Sequence, residues 1–358
     1  MDNKVTMQHI ADYIGVSKFV VSKALSGKKG VSLATREKVI KTATQLGYFA
    51  NKGMRSSNAQ LGMRIDPSNA SDKKQTLLVL MPNVRFQTKE SSYWGRILEG
   101  ISAALESKDI GMVIITDDIA DNFANIINPD GYIGIIGVGL ITTSQLLVIH
   151  NLSIPLILID HEDPLIPADS VFVNNAEGIS RITQYLLGLG HTSMQFVGNT
   201  SFSRSFYDRW NGFKSCLEDN HIISPSTIDQ TLLALSASDI PQLQLELNPI
   251  LTRLVKADSL PTAFVCANDN IAISVIQVLQ QLNISVPGQV CVTGFDNIED
   301  SMIIEPSLTT FGVAKEFLGR QAVEMLLWRK SNEDYPIMKV SLSGNMIIRK
   351  STAPYINK

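Results

Sequence analysis

The sequence predicts a small all-α head followed by a two-lobed α/β body built on two doubly wound parallel sheets. First, residues 1–50 contain three short segments in which apolar residues recur at helical spacing. Second, short apolar runs alternate with helical segments from Thr76 onward, which is typical of βαβ units on a parallel sheet covered on both faces. Third, this alternation continues through most of a 358-residue chain, which is too long for one sheet and favours two similar lobes.

The head begins with two short helices joined by a turn. Thr6 is placed to cap the first helix, and Ile10 and Ile14 lie one turn apart on one face. Gly15 ends this helix, and Ser17 is placed to cap the second. The inward face of the second helix comprises Val20, Val21, Ala24 and Leu25. This pattern predicts a helix-turn-helix unit, whose second helix enters the major groove of DNA.

A third helix completes the predicted head. Ser32 can cap it, Val39, Ala43 and Leu46 repeat at helical spacing, and Gly47 follows at its end. An amphipathic three-helix bundle without a DNA role is the alternative interpretation.

Charge favours the DNA-binding interpretation. Residues 1–60 contain ten Lys and Arg against three Asp and Glu, a net charge of +7. The whole chain carries −3, so residues 61–358 carry −10. A basic head on an acidic body is typical of a protein that presents one end to phosphates.

A polar segment separates the head from the body. Residues 56–75 are rich in Ser, Asn and Asp and contain Pro67, which predicts a linker. The expected strands lie at 77–81, 111–116, 131–137, 154–159, 193–198, 262–267 and 289–294. The expected helices lie at 93–107, 142–150, 177–189, 207–219, 239–257, 269–282 and 314–329. Since doubly wound lobes bind ligands beyond the carboxyl ends of their strands, we expect a small molecule in a cleft between two lobes.

Other functional classes lack a sequence signal. Cys216, Cys266 and Cys291 are far apart and without histidine pairs, so neither a metal site nor a disulfide framework is predicted. We see no catalytic constellation and expect no enzyme activity and no cofactor. Without a secretion signal or a membrane-spanning apolar run, we expect a cytoplasmic protein.

One glycine-rich stretch imitates a phosphate-binding loop. Gly131, Gly134, Gly137 and Gly139 lie within a predicted strand, whereas a dinucleotide fingerprint opens a helix. We therefore interpret these glycines as sites of close strand packing.

Many short motifs, in order along the chain, resemble those of the lactose/galactose repressor family (LacI/GalR-type) of bacterial transcriptional regulators. In the head they are Ile10-Ala11, Gly15-Val16-Ser17, Val21-Ser22, Gly30-Val31-Ser32, Thr35-Arg36 and Leu46-Gly47-Tyr48. In the body they are Leu189-Gly190-His191, Gly212-Phe213, Ala267-Asn268-Asp269, Val286-Pro287, Gly294-Phe295-Asp296 and Pro306 to Thr310. The resemblance implies a helix-turn-helix head, a hinge, and a dimerising body that is like a periplasmic sugar-binding protein.

By this resemblance, Lys18, Phe19 and Lys23 would read bases in the operator. The residues expected to touch phosphates are Thr6, Ser17, Ser22, Lys28 and Lys29. The chain departs from the family at Lys23, where arginine is usual, and at Phe19, where polar residues are usual. Phe19 could meet a thymine methyl group or belong to the core of the head.

The hinge departs further from the family pattern. Ser57 stands where the family inserts a leucine into the minor groove, and Gly53 disfavours a hinge helix by about 1 kcal/mol. Met54 is the alternative wedge. The hinge residues expected at DNA are Asn51, Met54 and Arg55.

The resemblance also implies an effector site. Its expected residues are Tyr93, Trp94, Asp160, Arg204, Arg209, Asn268, Asp269 and Asp296. Aromatic faces, carboxylates and an arginine suit the hydroxyl groups of a sugar. Alternatively, Asp269 caps a helix and Asp160 pairs across the hinge.

We expect the head at 1–50, a hinge and linker at 51–75, an N-terminal lobe at 76–173 with 306–334, and a C-terminal lobe at 174–305 with 335–358. The predicted function is a ligand-responsive, homodimeric DNA-binding repressor that senses a sugar or sugar derivative, with operator DNA, the effector and a second copy as partners. The alternative is a cytoplasmic small-solute receptor without a DNA role.

Overall fold

The structure is a computed structural model that describes residues 6–25, 31–32, 35, 38–39, 42–43, 46, 75–82, 93–116, 131–222, 228–237 and 239–356. The chain divides into two compact units. The first comprises Met1–Gln87, Leu98–Ser170 and Gly319–Met338, and the second comprises Thr88–Ile97, Val171–Leu318 and Lys339–Lys358. The chain therefore passes repeatedly from one unit to the other.

The head has its own small core. Helix α1 spans Met7–Ile14 and helix α2 spans Lys18–Leu25. The buried core residues are Ile10, Ala11, Val21, Ala24, Val39, Ala43 and Leu46. Since residues from all three predicted helical segments share this core, the predicted three-part head is confirmed for the described residues.

The first unit contributes four complete strands to a six-stranded sheet. The strands of this sheet are β1 (Thr76–Leu80), β2 (Gly111–Ile115), β3 (Ile135–Val138), β4 (Leu156–Ile159), β5 (Asp169–Val173) and β10 (Lys339–Leu342). The strand order is β10-β5-β4-β3-β1-β2. Strands β2, β1, β3 and β4 pair in parallel. Helices α3 (Trp94–Glu106) and α4 (Thr143–His150) connect them along the chain.

A five-stranded sheet organises the second unit. Its strands are β6 (Met194–Val197), β7 (Ala263–Cys266), β8 (Cys291–Asp296), β9 (Thr309–Gly312) and β11 (Asn345–Ile347). The order is β11-β9-β8-β7-β6, in which β6 to β9 pair in parallel and β11 pairs antiparallel with β9. The helices that follow in the chain are α5 (Asn175–Gly188), α6 (Arg204–Asp219), α7 (Ile240–Lys256), α8 (Asp269–Gln281), the short α9 (Asp300–Ile303) and α10 (Lys315–Ser331).

The two parallel sheets confirm the predicted fold class, but the expected lobe boundaries need correction. Residues 306–318 were assigned to the N-terminal lobe, yet β9 pairs with β8 in the second sheet. The structure also contains β5, β9, β10 and β11, which were not predicted. None of the four contains more than three consecutive apolar residues, so they lack the longer apolar run by which buried strands are recognised.

The glycine-rich stretch serves close packing, as predicted. A Cβ atom on Gly134 would lie 2.6 Å from the Leu326 side chain, and one on Gly137 would lie 2.5 Å from Ile141. Neither position tolerates a larger residue without a shift.

None of the helices in the described part of the chain has the length and apolar character needed to cross a bilayer.

Candidate functional site

Capping residues mark the ends of the two head helices. The Thr6 hydroxyl oxygen accepts from the His9 amide at 3.3 Å, and the Thr6 amide donates to His9 Nδ1 at 3.4 Å. Gly15 ends α1 with a φ of 71°, a conformation that favours glycine. The Ser17 hydroxyl oxygen then accepts from the Val20 amide at 3.3 Å and caps α2. The capping roles predicted for Thr6, Gly15 and Ser17 are confirmed.

The outer face of α2 carries the predicted DNA-reading residues. Lys18, Phe19 and Ser22 are exposed, and Lys23 is half-buried. The Phe19 ring is 67% exposed, and Lys23 Nζ lies 4.8 Å from its centroid. The alternative that Phe19 belongs to the core is therefore wrong, because an apolar ring of the head remains in solvent.

The remaining predicted DNA contacts lie outside the described residues. They are Lys28, Lys29, Asn51, Met54 and Arg55, together with the hinge around Gly53 and Ser57.

Arg209 is the centre of a buried polar cluster in the second unit. It lies on α6 and is 2% exposed. Its Nε donates to Asn175 Oδ1 at 2.8 Å and its guanidinium donates to the Ala267 carbonyl at 2.7 Å. The guanidinium also pairs with Asp296 at 3.2 Å and lies 3.9 Å from the centroid of the Phe295 ring. These contacts fix Arg209 beside the carboxyl ends of β7 and β8.

Asp296 ends β8 in a left-handed conformation with a φ of 107°. Burial raises the pKa of its carboxyl, and the nearby charges of Arg209 and Lys315 oppose that shift. The cluster thus contains the buried Asp296 carboxylate beside two cations, Arg209 and Lys315. Asp296 and Arg209 were expected from the sequence, whereas Lys315 was not.

Asp269 faces the protein interior. It is 1% exposed, and its carboxylate accepts from the Ile298 amide at 2.9 Å and the Thr310 hydroxyl at 2.6 Å. Burial, followed by the charge of Asp296, raises its pKa to about 7. Both carboxylate oxygens have protein partners, which favours a structural role over ligand binding.

Asn268, rather than Asp269, caps α8. Its side-chain oxygen accepts from the Ile271 amide at 3.0 Å. The alternative that assigned this cap to Asp269 is wrong by one residue. Because a backbone N–H group must meet the amide oxygen, the NH₂ group of Asn268 points the other way.

A pocket in the second unit adjoins Asn268. Its lining residues are Asn199, Phe202, Phe206, Leu235, Ala237, Asn268 and Ile271. The rings of Phe202 and Phe206 lie 5.1 Å apart, and Phe206 also lies 5.7 Å from the Arg209 guanidinium. Sequence analysis missed both aromatic residues. The spacing of three between Phe206 and Arg209 was an available signal, since such residues share a helix face.

Of the expected ligand residues that the structure describes, Asn268 alone lines this pocket, and Arg209 lies next to the lining residue Phe206. Arg204 begins α6 and pairs with Asp208 at 2.8 Å. Tyr93 and Trp94 make an edge-to-face pair with centroids 4.8 Å apart at the start of α3. Asp160 lies in the first unit at the end of β4, with a φ of 55°.

Comparisons with known proteins agree with both parts of the chain. Residues 6–51 match the model for bacterial regulatory proteins of the lacI family, and residues 183–352 match the periplasmic binding protein-like domain. The ribose operon repressor of Haemophilus influenzae is 25% identical over 354 residues, covering 97% of this chain and 98% of that protein.

Solved structures agree in fold. The lac repressor dimer bound to operator and an anti-inducer has a TM-score of 0.65 at 19% identity, covering 98% of this chain and 99% of its own. The transcriptional regulator CelR in complex with cellobiose has a TM-score of 0.66 at 19% identity, covering 97% and 99%. The family consists of DNA-binding regulators rather than enzymes, in agreement with the prediction. The chain therefore carries a DNA-binding head of the lacI family of bacterial regulatory proteins, followed by a periplasmic binding protein-like domain.

Proposed function

We propose that a cytoplasmic homodimer of this chain represses transcription by binding operator DNA through α2, under the control of a small molecule held by the body. The observation that carries this proposal is the outward face of α2, where the solvent-exposed ring of Phe19 lies among Lys18, Ser22 and Lys23. A twofold dimer suits a pseudo-palindromic operator because each head reads one half-site.

In this proposal, Lys18, Phe19 and Lys23 read base edges. A lysine can donate to guanine O6 and N7 without the two-pronged geometry of arginine, and the Phe19 ring suits a thymine methyl group. Thr6, Ser17, Ser22, Lys28 and Lys29 touch phosphates, and the hinge residues Asn51, Met54 and Arg55 approach the minor groove. We therefore expect an operator that differs from the family consensus.

A band-shift titration tests DNA binding. A fragment from upstream of the gene is titrated at about 50 mM salt, where phosphate contacts are strong. Retardation supports the proposal. Failure to retard any upstream fragment, with the chain folded, would instead favour the small-solute receptor.

We propose a sugar or sugar derivative as the effector. The relative from Haemophilus influenzae is named for the ribose operon, and CelR is in complex with cellobiose. The Arg209–Asp296 pair and Asn268 supply polar groups, while Phe202 and Phe206 supply a ring face of the kind on which sugars stack. Tyr93, Trp94, Asp160 and Arg204 remain candidate residues from the sequence, whereas the protein partners of both Asp269 carboxylate oxygens favour a structural role for that residue.

A thermal-shift panel of sugars, sugar phosphates and nucleosides tests this assignment. A compound that binds the folded chain raises its melting temperature with concentration. We expect the shift to vanish in Arg209→Ala and to persist in Arg181→Ala, which removes an arginine of α5 that is half exposed and pairs with Glu177. A shift that survives in Arg209→Ala would refute the site, whereas a shift with nucleosides alone would refute the sugar class.

A further inference from the structure

The turn after β8 has an unusual backbone. Asp296 and Asn297 both have positive φ angles, 107° and 52°, although neither is glycine. Such residues persist where their surroundings hold them. Because the Asp296 carboxylate pairs with Arg209, the geometry of this turn sets the position of one half of the buried ion pair.

Lys315 lies directly over this turn. Asp296 and Gly312 are in register on the neighbouring parallel strands β8 and β9, so the start of α10 lies beside the end of β8. The Lys315 side chain is buried, with 6% of the residue exposed. Its Nζ donates to the carbonyl oxygens of Asp296, of Asn297 at 3.2 Å and of Val313 at 3.5 Å. An ammonium group has three N–H donors, and here three backbone carbonyls receive them.

The charges around Lys315 favour the protonated, positively charged form of its side chain. Burial lowers the pKa of Lys315, and the carboxylates of Asp296, Asp269 and Glu316 oppose that shift. The nearby positive charge of Arg96 lowers the pKa of Lys315 further.

A second cation, the guanidinium group of Arg349 in the C-terminal segment, also contacts this turn. The Arg349 guanidinium donates to Asn297 Oδ1 at 2.7 Å and to the Leu308 carbonyl at 2.7 Å. It also donates to the Ser301 hydroxyl at 3.2 Å. Arg349 therefore holds a side chain of the turn, whereas Lys315 holds its backbone.

We propose that Lys315 is a positioning residue of the effector site, whose ammonium group occupies a nest of three backbone carbonyls and holds the Asp296–Asn297 turn. By fixing this turn, it sets the Asp296 carboxylate against Arg209. The contribution of Lys315 to effector binding rests on the proposed function, whereas the stabilisation of the turn by its ammonium group does not. A carbonyl nest of this kind also accepts a small alkylammonium ion when the lysine is shortened.

Hydrogen–deuterium exchange of the full chain tests the proposal without an effector. Lys315→Met keeps the apolar stem and removes the charge, and Lys315→Ala leaves a cavity. Lys330→Met removes an exposed charge from the same helix and serves as the control. We expect amides of residues 296–301, including that of Ile298, to exchange about tenfold faster in both Lys315 variants and at the wild-type rate in the control.

Chemical rescue separates the ammonium group from mere packing. Ethylammonium should restore slow exchange in Lys315→Ala but not in Lys315→Met, where the methionine fills the space. Tetramethylammonium, which has no N–H donor, should restore neither variant.

Unchanged exchange in both variants, or equal rescue by the two cations, overturns the proposal. Should Lys315→Ala not fold, the exchange comparison of Lys315→Met with Lys330→Met decides. A failed sugar panel with faster exchange at the turn would remove the effector role alone. Normal exchange with a successful panel would remove only the role of Lys315.

Discussion

At the scale of single residues, the molecule places unusual side chains at both of its candidate sites. Phe19 exposes an aromatic ring on a helix that otherwise presents polar and basic groups, and Asp269 buries a carboxyl with a pKa near 7. An exposed ring and a buried acid each go against the usual distribution of side chains. A single substitution at Phe19 therefore tests its contribution to operator affinity, and one at Asp269 tests its contribution to the pH dependence of stability.

Phe19→Ala should weaken operator binding without changing stability. The ring is 67% exposed, so little packing is lost on truncation. An apolar base contact of this kind suggests a loss of about 1 kcal/mol or more, roughly fivefold or greater in affinity. Fluorescence anisotropy with an operator fragment and a melting curve measure the two effects. Tyr13→Ala, which truncates an exposed ring on α1, is the control, and an equal loss of affinity there would argue against a base contact.

Asp269→Asn should flatten the dependence of stability on pH between about pH 4 and 7. The pKa of Asp269 is raised from 3.8 to about 7, so the folded chain binds more protons than the unfolded chain in this window. Stability from this carboxyl is greatest at low pH and falls as the pH rises. In the variant, the Thr310 hydroxyl can turn to accept from the new amide, which keeps that hydrogen bond.

Melting temperatures across the pH range provide the measurement. Asp163→Asn is the control. Burial raises the pKa of Asp163, but hydrogen bonds from Thr143, Leu165 and Ile166 and the charge of His161 together outweigh burial and lower it, so its contribution is lost only in stronger acid. A pH profile of Asp269→Asn that parallels the wild type would contradict the assigned cause.

At the scale of elements, helices α5 and α6 depend on a glycine for their close approach. A Cβ atom on Gly212 of α6 would lie 2.3 Å from the carbonyl oxygen of Ala176 on α5. Because that neighbour is backbone, it cannot move aside as a flexible side chain would. The same packing brings Arg209, three residues earlier, beside Asn175.

Gly212→Ala should therefore destabilise the chain by about 1–3 kcal/mol, although alanine is the better helix former. Gly188→Ala, at the end of α5, meets nothing within 4 Å and should stabilise by up to about 1 kcal/mol. Urea denaturation of both variants compares the two effects. Equal stabilities would mean that the helices separate without cost.

The sequence predicts those elements whose burial leaves a mark on composition. Strand β7 is a run of four buried apolar residues and was predicted, whereas β10 alternates exposed and half-buried residues and was missed. At the site, Arg209, Asn268 and Asp296 follow recognisable motifs. Lys315 was missed because its partners are backbone carbonyls, which no pattern of residue types reveals.

At the scale of the whole molecule, charge is divided between the head and the rest of the chain. Residues 1–60 carry +7 and residues 61–358 carry −10. The net positive charge of the head therefore attracts DNA, whereas the net negative charge of the remaining residues repels it. This charge distribution favours encounters in which the head approaches the DNA first.

Salt should weaken DNA binding steeply and leave effector binding nearly unchanged. Each phosphate that the head neutralises adds about 0.9 to the negative slope of log affinity against log salt. Lys28→Gln, which removes a proposed phosphate contact, should reduce that slope by about 1, whereas Phe19→Ala should leave it unchanged. Anisotropy titrations from about 50 to 200 mM salt measure the slopes. A slope of Lys28→Gln equal to the wild type would show that Lys28 touches no phosphate.

The division of both units into separate stretches of chain has a consequence for biosynthesis. Leu326, which is fully buried and closes on Gly134 in the first unit, leaves the ribosome after most of the second unit has been made. Until then, the surface around Gly134 on which Leu326 packs remains uncovered in the nascent chain. Domains that fold as contiguous units avoid such exposure during synthesis. This chain instead completes its first unit with residues 319–338 and its second with residues 339–358, so neither unit can finish folding before the other has largely been made.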